Sequence, residues 1–135
     1  MSKPLTDADY RTLAQFRHAL RVFLRFSEEA ARAGGVTPNQ HQLLLAIRGY
    51  AGDGSPSVSD VAQALQLQHH SVVELVDRAV EAGLVRRRVD PTDRRRQRLA
   101  LTAAGGRMLA ALTEVHRQEL RRFRPALSDV LRAFD

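Results

Sequence analysis

Cysteine and tryptophan are both missing from this 135-residue chain, and aromatic residues make up only 5% of it. The lack of cysteine excludes disulfides, thiolate metal sites, thiol oxidation switches and a cysteine nucleophile. No apolar run approaches the ~20 residues of a membrane-spanning helix. The opening Met-Ser-Lys-Pro-Leu-Thr-Asp lacks a signal-peptide pattern, so a cytoplasmic protein without a membrane partner is expected. Enzyme signatures are absent too: there is no Gly-x-Ser-x-Gly, no Gly-rich phosphate loop and no His-Glu-x-x-His. Lysine is nearly absent, Lys3 being the only one, yet the net charge is +6 because the basic residues are otherwise all arginine. A genome rich in arginine codons accounts for that bias as readily as selection does. Whatever its cause, a basic chain accumulates on polyanions. No repeat, linker or low-complexity tract divides the chain, and its length suits one domain.

What is present is concentrated between Ser57 and Thr102. Ser57 with Asp60 forms a capping box, and Val58, Val61, Ala62 and Leu65 follow at helical spacing. Leu67 lies between Gln66 and Gln68, which suits a turn that plugs one hydrophobe into the core. A second helix is predicted from about His69 to Ala82, with Val72, Leu75, Val76 and Ala79 inward and Gly83 at the left-handed position beyond its end. Helices this short need other elements to pack on. The pattern is a helix-turn-helix. Two strand-like runs follow, Leu84 to Val89 and Gln97 to Leu101, joined by a turn begun at Asp90-Pro91. Seven arginines fall between Arg86 and Arg98. A projecting cationic hairpin beside a helix-turn-helix is a winged helix, and its tip matches a phosphate-lined minor groove.

The flanks read as helices. Thr6 with Asp9 opens one that continues to Gly34-Gly35, with Tyr10, Leu13, Phe16, Leu20, Phe23, Leu24 and Ala31 on an apolar face. At 1.5 Å per residue it is roughly 40 Å long. That exceeds the width of a compact monomer with a radius of gyration of roughly 14 Å, so it calls for apolar cover from a second subunit. Thr37-Pro38-Asn39-Gln40 starts another helix, to about Tyr50, whose Leu43, Leu44 and Ile47 brace the helix-turn-helix. Ala51 to Pro56 is a loop from which one residue is placed to pair as a third edge strand. Thr102 caps a helix from Ala103 to about Phe123, carrying Met108, Leu109, Leu112, Val115 and Leu120. Pro125 is expected to break it, leaving a last short helix from Ala126 to Phe134. Long apolar helices at both ends are the sequence form of an intertwined homodimer.

The run V-D-R-A-V-E-A-G-L-V-R-R at 76–87, D-R-R at 93–95 and L-A-L-T at 99–102, followed by Gly105, resembles the multiple antibiotic resistance regulator (MarR) family of bacterial transcription factors. The resemblance covers nearly the whole chain. It departs at Ala79, where the family usually carries a larger aliphatic residue, and in the short C-terminus ending at Asp135. It implies a mainly α fold formed as a single MarR-like domain over residues 1–135. Within that domain the winged helix-turn-helix lobe with its β-hairpin wing spans 37–102, and dimerisation helices span 6–33 and 103–135. It also implies a homodimeric, sequence-specific regulator of pseudo-palindromic double-stranded DNA operators, most often a repressor, relieved by a small aromatic or phenolic effector.

Gln68, His69, His70 and Ser71 then occupy the first turn of the recognition helix. Gln pairs bidentately with adenine, His addresses guanine acceptors, and Ser is permissive. The plainer reading is that these residues cap the helix and touch phosphate. Glu74, a turn further on, has the chemistry to accept from cytosine and reads more simply as a solvated charge. Arg94 and Arg95 match the wing motif and are the candidates for minor-groove insertion. Asp93 belongs to the same motif, and Asp77 is expected to orient the wing by pairing with a wing-base arginine, taken as Arg95; a surface pair with Arg78 is the alternative. Arg86, Arg87, Arg88, Arg96 and Arg98 alternate along the strands, and half of them should be solvated. Among five histidines, His69 and His70 point about 100° apart and cannot share a metal. His18, His41 and His116 lie on three helices, and His18 with His41 are the candidates for a ligand pocket between the dimer helices and the lobe. A polar contact there is simpler than a metal site, so neither metal nor cofactor is expected. A second reading stays open: a winged helix that no longer reads DNA and serves as a protein-interaction or ligand-sequestering module. The D-R-R wing and the polar helix start favour the first.

Overall fold

Three reciprocal capping boxes set the starts of the first three helices in the computed structural model, which describes residues 3–135. Thr6 with Asp9 opens α1 (Asp7–Ala33), Thr37 with Gln40 opens α2 (Pro38–Arg48), and Ser57 with Asp60 opens α3 (Val58–Leu65). In each box the cap oxygen takes one backbone N–H and the third residue's side chain returns to the cap's own N–H, so two orphaned donors are satisfied. The helices α4 (His69–Glu81) and α5 (Ala103–Ala133) and the strands β1 (Val85–Val89) and β2 (Gln97–Leu101) complete the chain. The fold is mainly α with one small antiparallel hairpin, as expected.

The lobe is built on a single core. Leu43 and Leu44 of α2, Val61 of α3, Val72, Val76 and Ala79 of α4, and Val85 and Leu99 of the hairpin all lose essentially their whole surface to it. Leu67 packs against this core from the α3–α4 turn, and Gln66 before it takes a left-handed conformation (φ 54°). Ala79 is completely buried, so its small side chain sits where α4 lies close to its neighbours. Gly83 (φ 77°) ends α4: Leu84 N–H donates to Ala79 and Gly83 N–H to Val80, both at 3.0 Å.

The hairpin pairs Val85 with Leu101 and Val89 with Gln97. A third edge contact does exist, displaced by one residue from the expected loop. Ser57, not a residue of 51–56, bridges Arg98, while the carbonyl of Pro56 accepts from Leu99 N–H at 2.8 Å. Thr102 then launches α5, its hydroxyl donating to Gly83 O at 2.6 Å and accepting from Gly105 N–H at 3.0 Å. A Cβ at Gly105 would run into the carbonyl of Leu84, so the absence of a side chain there is what lets the start of α5 lie against the backbone leading into β1.

Helices α1 and α5 pack antiparallel into a stalk. Phe16 and Phe23 each meet Phe123 at 5.8 Å between ring centroids, and Ser27 meets His116 further along. One expectation fails here. Pro125 does not break the helix, and α5 runs unbroken through it for 31 residues, absorbing the predicted last helix 126–134. Pro125 and Arg121 are both exposed, so the carbonyl that loses its N–H partner lies on a side of the helix open to water. Helix α2 also stops two residues early, at Arg48 before Gly49. Toward the far end of the stalk the apolar residues are uncovered: Tyr10 and Leu13 on α1, Leu120, Leu127 and Leu131 on α5. Among the described residues no helix is long and apolar enough to cross a membrane.

Candidate nucleic-acid interface

The first turn of α4 presents a row of uncommitted polar groups. Gln68 occupies the N-cap position, yet its side chain makes no capping hydrogen bond. Gln68, His69 and His70 are exposed and Ser71 is half-buried. Gln63, Gln66, Gln68, His69 and Ser71 line one shallow concavity at the α3–α4 turn. No acidic residue lies in the first turn of α4. Among the described residues, no side chain caps the first N–H groups of α4, and no carboxylate of its own first turn offsets the positive end of the helix dipole. Glu74 and Asp77 are exposed further along.

The wing tip supplies the cations. Arg94 and Arg95 are both exposed, and the side chain of Arg95 is 92% open to solvent. Asp93 holds Arg95 twice, accepting from its backbone N–H at 3.0 Å and from Nε at 3.3 Å. Asp77 has a different partner from the expected one. It pairs with Arg87 of β1, not with Arg95. Helix α4 turns directly into β1 through Gly83, so Arg87 is the arginine folded back beside Asp77, while Arg95 sits in the tip with a carboxylate two residues away. The Asp77–Arg87 pair links α4 to β1. Arg86, Arg88 and Arg96 are exposed and, among the described residues, form no ion pair; Arg87 and Arg98 do.

Asp90 was not singled out by its sequence context, although Asp-Pro marked the turn. It is 3% exposed. Oδ1 accepts from the N–H and the hydroxyl of Thr92, both at 2.8 Å, and from Asp93 N–H at 3.3 Å. Oδ2 accepts from Arg98 at 3.1 Å. The Thr92 backbone and hydroxyl donors, with Arg98 and the Asp93 N–H behind them, outweigh burial and hold the carboxyl down at about 2. Asp60, which caps α3 through Ser57 N–H, is also lowered, chiefly by that hydrogen bond.

The junction of stalk and lobe brings together His41 and His116, not His18 and His41. His41 of α2 is 5% exposed, and its ring lies 5.1 Å from that of His116 on α5. His116 is fully engaged. A carbonyl can only accept, so its Nδ1–H donates to Leu112 O at 2.6 Å, and Nε2 shares a hydrogen bond with the Ser27 hydroxyl at 2.8 Å. Phe23 and Phe26 meet the same ring edge-on. Among the described residues His41 is left with a buried Nδ1 that has no partner, and burial first, then His116, pushes its pKa down. His18 is exposed on α1, nine residues before Ser27 and so roughly 13 Å along the helix. Among the described residues no group of three or more His, Asp or Glu side chains is arranged to hold a metal.

Residues 34–96 match the sequence profile of the MarR family. A Thauera aromatica protein named as a transcriptional regulatory protein for the hcr operon is 32% identical over 116 residues, covering 86% of this chain and 68% of that one. AbsC, a MarR family transcriptional regulator from Streptomyces coelicolor, superposes with a TM-score of 0.73 at 25% identity, over 93% of this chain and 84% of its own. The S. aureus MepR–DNA complex shares the fold, with a TM-score of 0.70 at 22% identity over 90% and 85% of the two chains.

Proposed function

The chain belongs to the MarR family of transcriptional regulators, and from that membership we propose that it binds duplex DNA as a homodimer and represses pseudo-palindromic operators. In this reading residues 37–102 are the reading lobe and residues 6–33 and 103–135 are dimerisation helices of a single domain. One observation carries it: an uncapped, anion-free start of α4 stands on the same lobe as a wing whose Arg95 is exposed and already held by Asp93. Gln68, His69, His70 and Ser71 would address base edges in the major groove, and Arg94 and Arg95 the flanking minor groove. The hcr-operon role given to the Thauera relative and the DNA held by MepR support the same assignment.

The stalk supports the dimer. Leu120, Leu127 and Leu131 follow at seven- and four-residue spacing along one side of α5, all exposed, beside exposed Tyr10 and Leu13 of α1. A second copy covering them would set two recognition helices one helical turn apart on DNA, ~10 bp between half-site centres. Relief by a small aromatic or phenolic molecule would draw on the stalk–lobe junction at His41, where a buried, unpartnered ring nitrogen lies near the Phe23–Phe26–His116 cluster. The coupling required is on the order of 1–3 kcal/mol.

Selection of bound fragments from random DNA, followed by gel shifts over a salt series, tests the reading. Affinity should fall by about 10³–10⁵ between 50 and 200 mM salt if ~6–10 phosphates are contacted. Retention of no fragment, even in dilute buffer, would leave a module that binds proteins or ligands instead.

A further inference from the structure

Arg98 is set apart from the other wing arginines by its surroundings. Its side chain is 24% exposed, and three separate segments meet on its guanidinium. Nε donates to Asp90 Oδ2 at 3.1 Å, at the base of the wing tip. Nη1 donates to the carbonyl of Ser55 at 2.8 Å, in the loop before α3, and lies 3.9 Å from Asp60 Oδ2 in the first turn of α3. The backbone marks the same junction through the Ser57–Arg98 bridge and the Leu99-to-Pro56 hydrogen bond.

A two-stranded hairpin is marginal by itself in water, so its direction depends on what fastens it. Among the described residues, side-chain polar ties from the two strands to the helices and the loop before α3 come from two arginines. Arg87 on β1 reaches Asp77 of α4, and Arg98 on β2 reaches Ser55 and Asp60. One tie leaves a hinge. Two ties, on different strands and to different helices, define an angle. The planar fork of arginine suits this, because its N–H groups point in fixed, diverging directions toward a carboxylate and a carbonyl together; an ammonium is a single point charge.

We propose that Arg98, braced by Asp90, is a positioning residue that fixes the angle of the wing to the recognition helix, so that the wing tip and the start of α4 engage one duplex at the same time. This rests on the DNA-binding reading above. Arg98 itself touches no DNA; it acts through Arg94 and Arg95. Losing it should free the wing to swing, so that flanking minor-groove contacts are lost while the major-groove half-sites stay occupied.

Hydroxyl-radical footprinting on a fragment selected by the wild type reads this directly. Arg98→Ala should keep protection of the half-site cores, lose it at the flanks, and bind at least tenfold more weakly. Arg86→Ala removes the same charge from an exposed strand position and should weaken binding without selective loss at the flanks. Arg98→Lys should restore part of the flank protection. If Arg98→Ala fails to fold, Arg98→Lys is compared with the wild type alone, and complete flank protection at wild-type affinity overturns the proposal. A second readout needs no DNA. Spin labels on Gln63→Cys and Arg96→Cys, in a chain with no other cysteine and diluted with unlabelled protein, report the distance from α3 to the wing tip within one subunit. The distribution should be narrow with Arg98 and broad without it. Equal widths, or a footprint for Arg98→Ala that matches Arg86→Ala, overturn the proposal. A wild type that protects no DNA, with the widths still differing, counts against the regulator reading instead.

Discussion

At the scale of single residues, the wing tip shows why an arginine there would bind well. Arg95 is exposed but tethered by Asp93, so less side-chain freedom remains to be lost on contact. Arg95→Ala should weaken operator binding by about 1–3 kcal/mol, with sedimentation still reporting a dimer; unchanged affinity would remove Arg95 from the interface. His41 yields a prediction of another kind. Its folded pKa is lowered, so below about 6.5 the unfolded chain takes up a proton that the folded chain refuses. Stability should therefore fall as pH drops through 6.5 toward 5. His41→Leu should flatten that slope, as read from melting temperatures at pH 7.5, 6 and 5; an unaltered slope would place the proton uptake elsewhere. The residue types at 68–71 and 93–95 are legible in sequence because each belongs to a short local pattern. The partner of Asp77 and the role of Arg98 are not. Ser55 lies 43 positions from Arg98, and no local periodicity encodes a contact made by folding the wing back onto the entry of α3.

Among the elements, the starts are far more readable than the ends. Thr6, Thr37 and Ser57 each announce a helix with a partner three residues on, and all three pairs form. Pro125 shows the opposite case. The rule that proline stops a helix weighs one lost N–H and one crowded carbonyl, and both lie here on an exposed side where water and neighbouring turns relieve them. The two glycines at the start of α5 separate what packing requires from what it tolerates. Gly105→Ala drives a methyl into the carbonyl of Leu84, whereas Gly106 has nothing within 4 Å of the same atom. Gly105→Ala should destabilise by about 1–3 kcal/mol or more, and Gly106→Ala should stabilise by about 0.5–1 kcal/mol through helix propensity. Urea midpoints of the two variants measure both, and a shift of the same sign in each would contradict the contact at Leu84.

For the whole molecule, a helix of ~40 Å outreaches a compact domain of this size, which is the ground in the sequence for expecting a second copy. How two copies would interlock is not written in the pattern of one, because a single apolar stripe does not say which residues meet the chain's own second helix and which would meet another copy. The structure divides that stripe: Phe16, Phe23 and Phe123 face inward, and Leu127 and Leu131 stay bare. The double variant Leu127→Glu, Leu131→Glu should sediment as a monomer. It should also lose more than tenfold in operator affinity, because the second half-site is then no longer engaged at high effective concentration. A persisting dimer would move the interface to another face. His116 provides a way to watch the same architecture at work. Its ring is pinned between the Leu112 carbonyl and the Ser27 hydroxyl, and it lies 5.1 Å from the His41 ring of the lobe. Because that contact with His41 spans stalk and lobe, the His116 ring resonances should shift if the lobe lifts from the stalk, giving a built-in reporter of how the two stay seated as titrant is added.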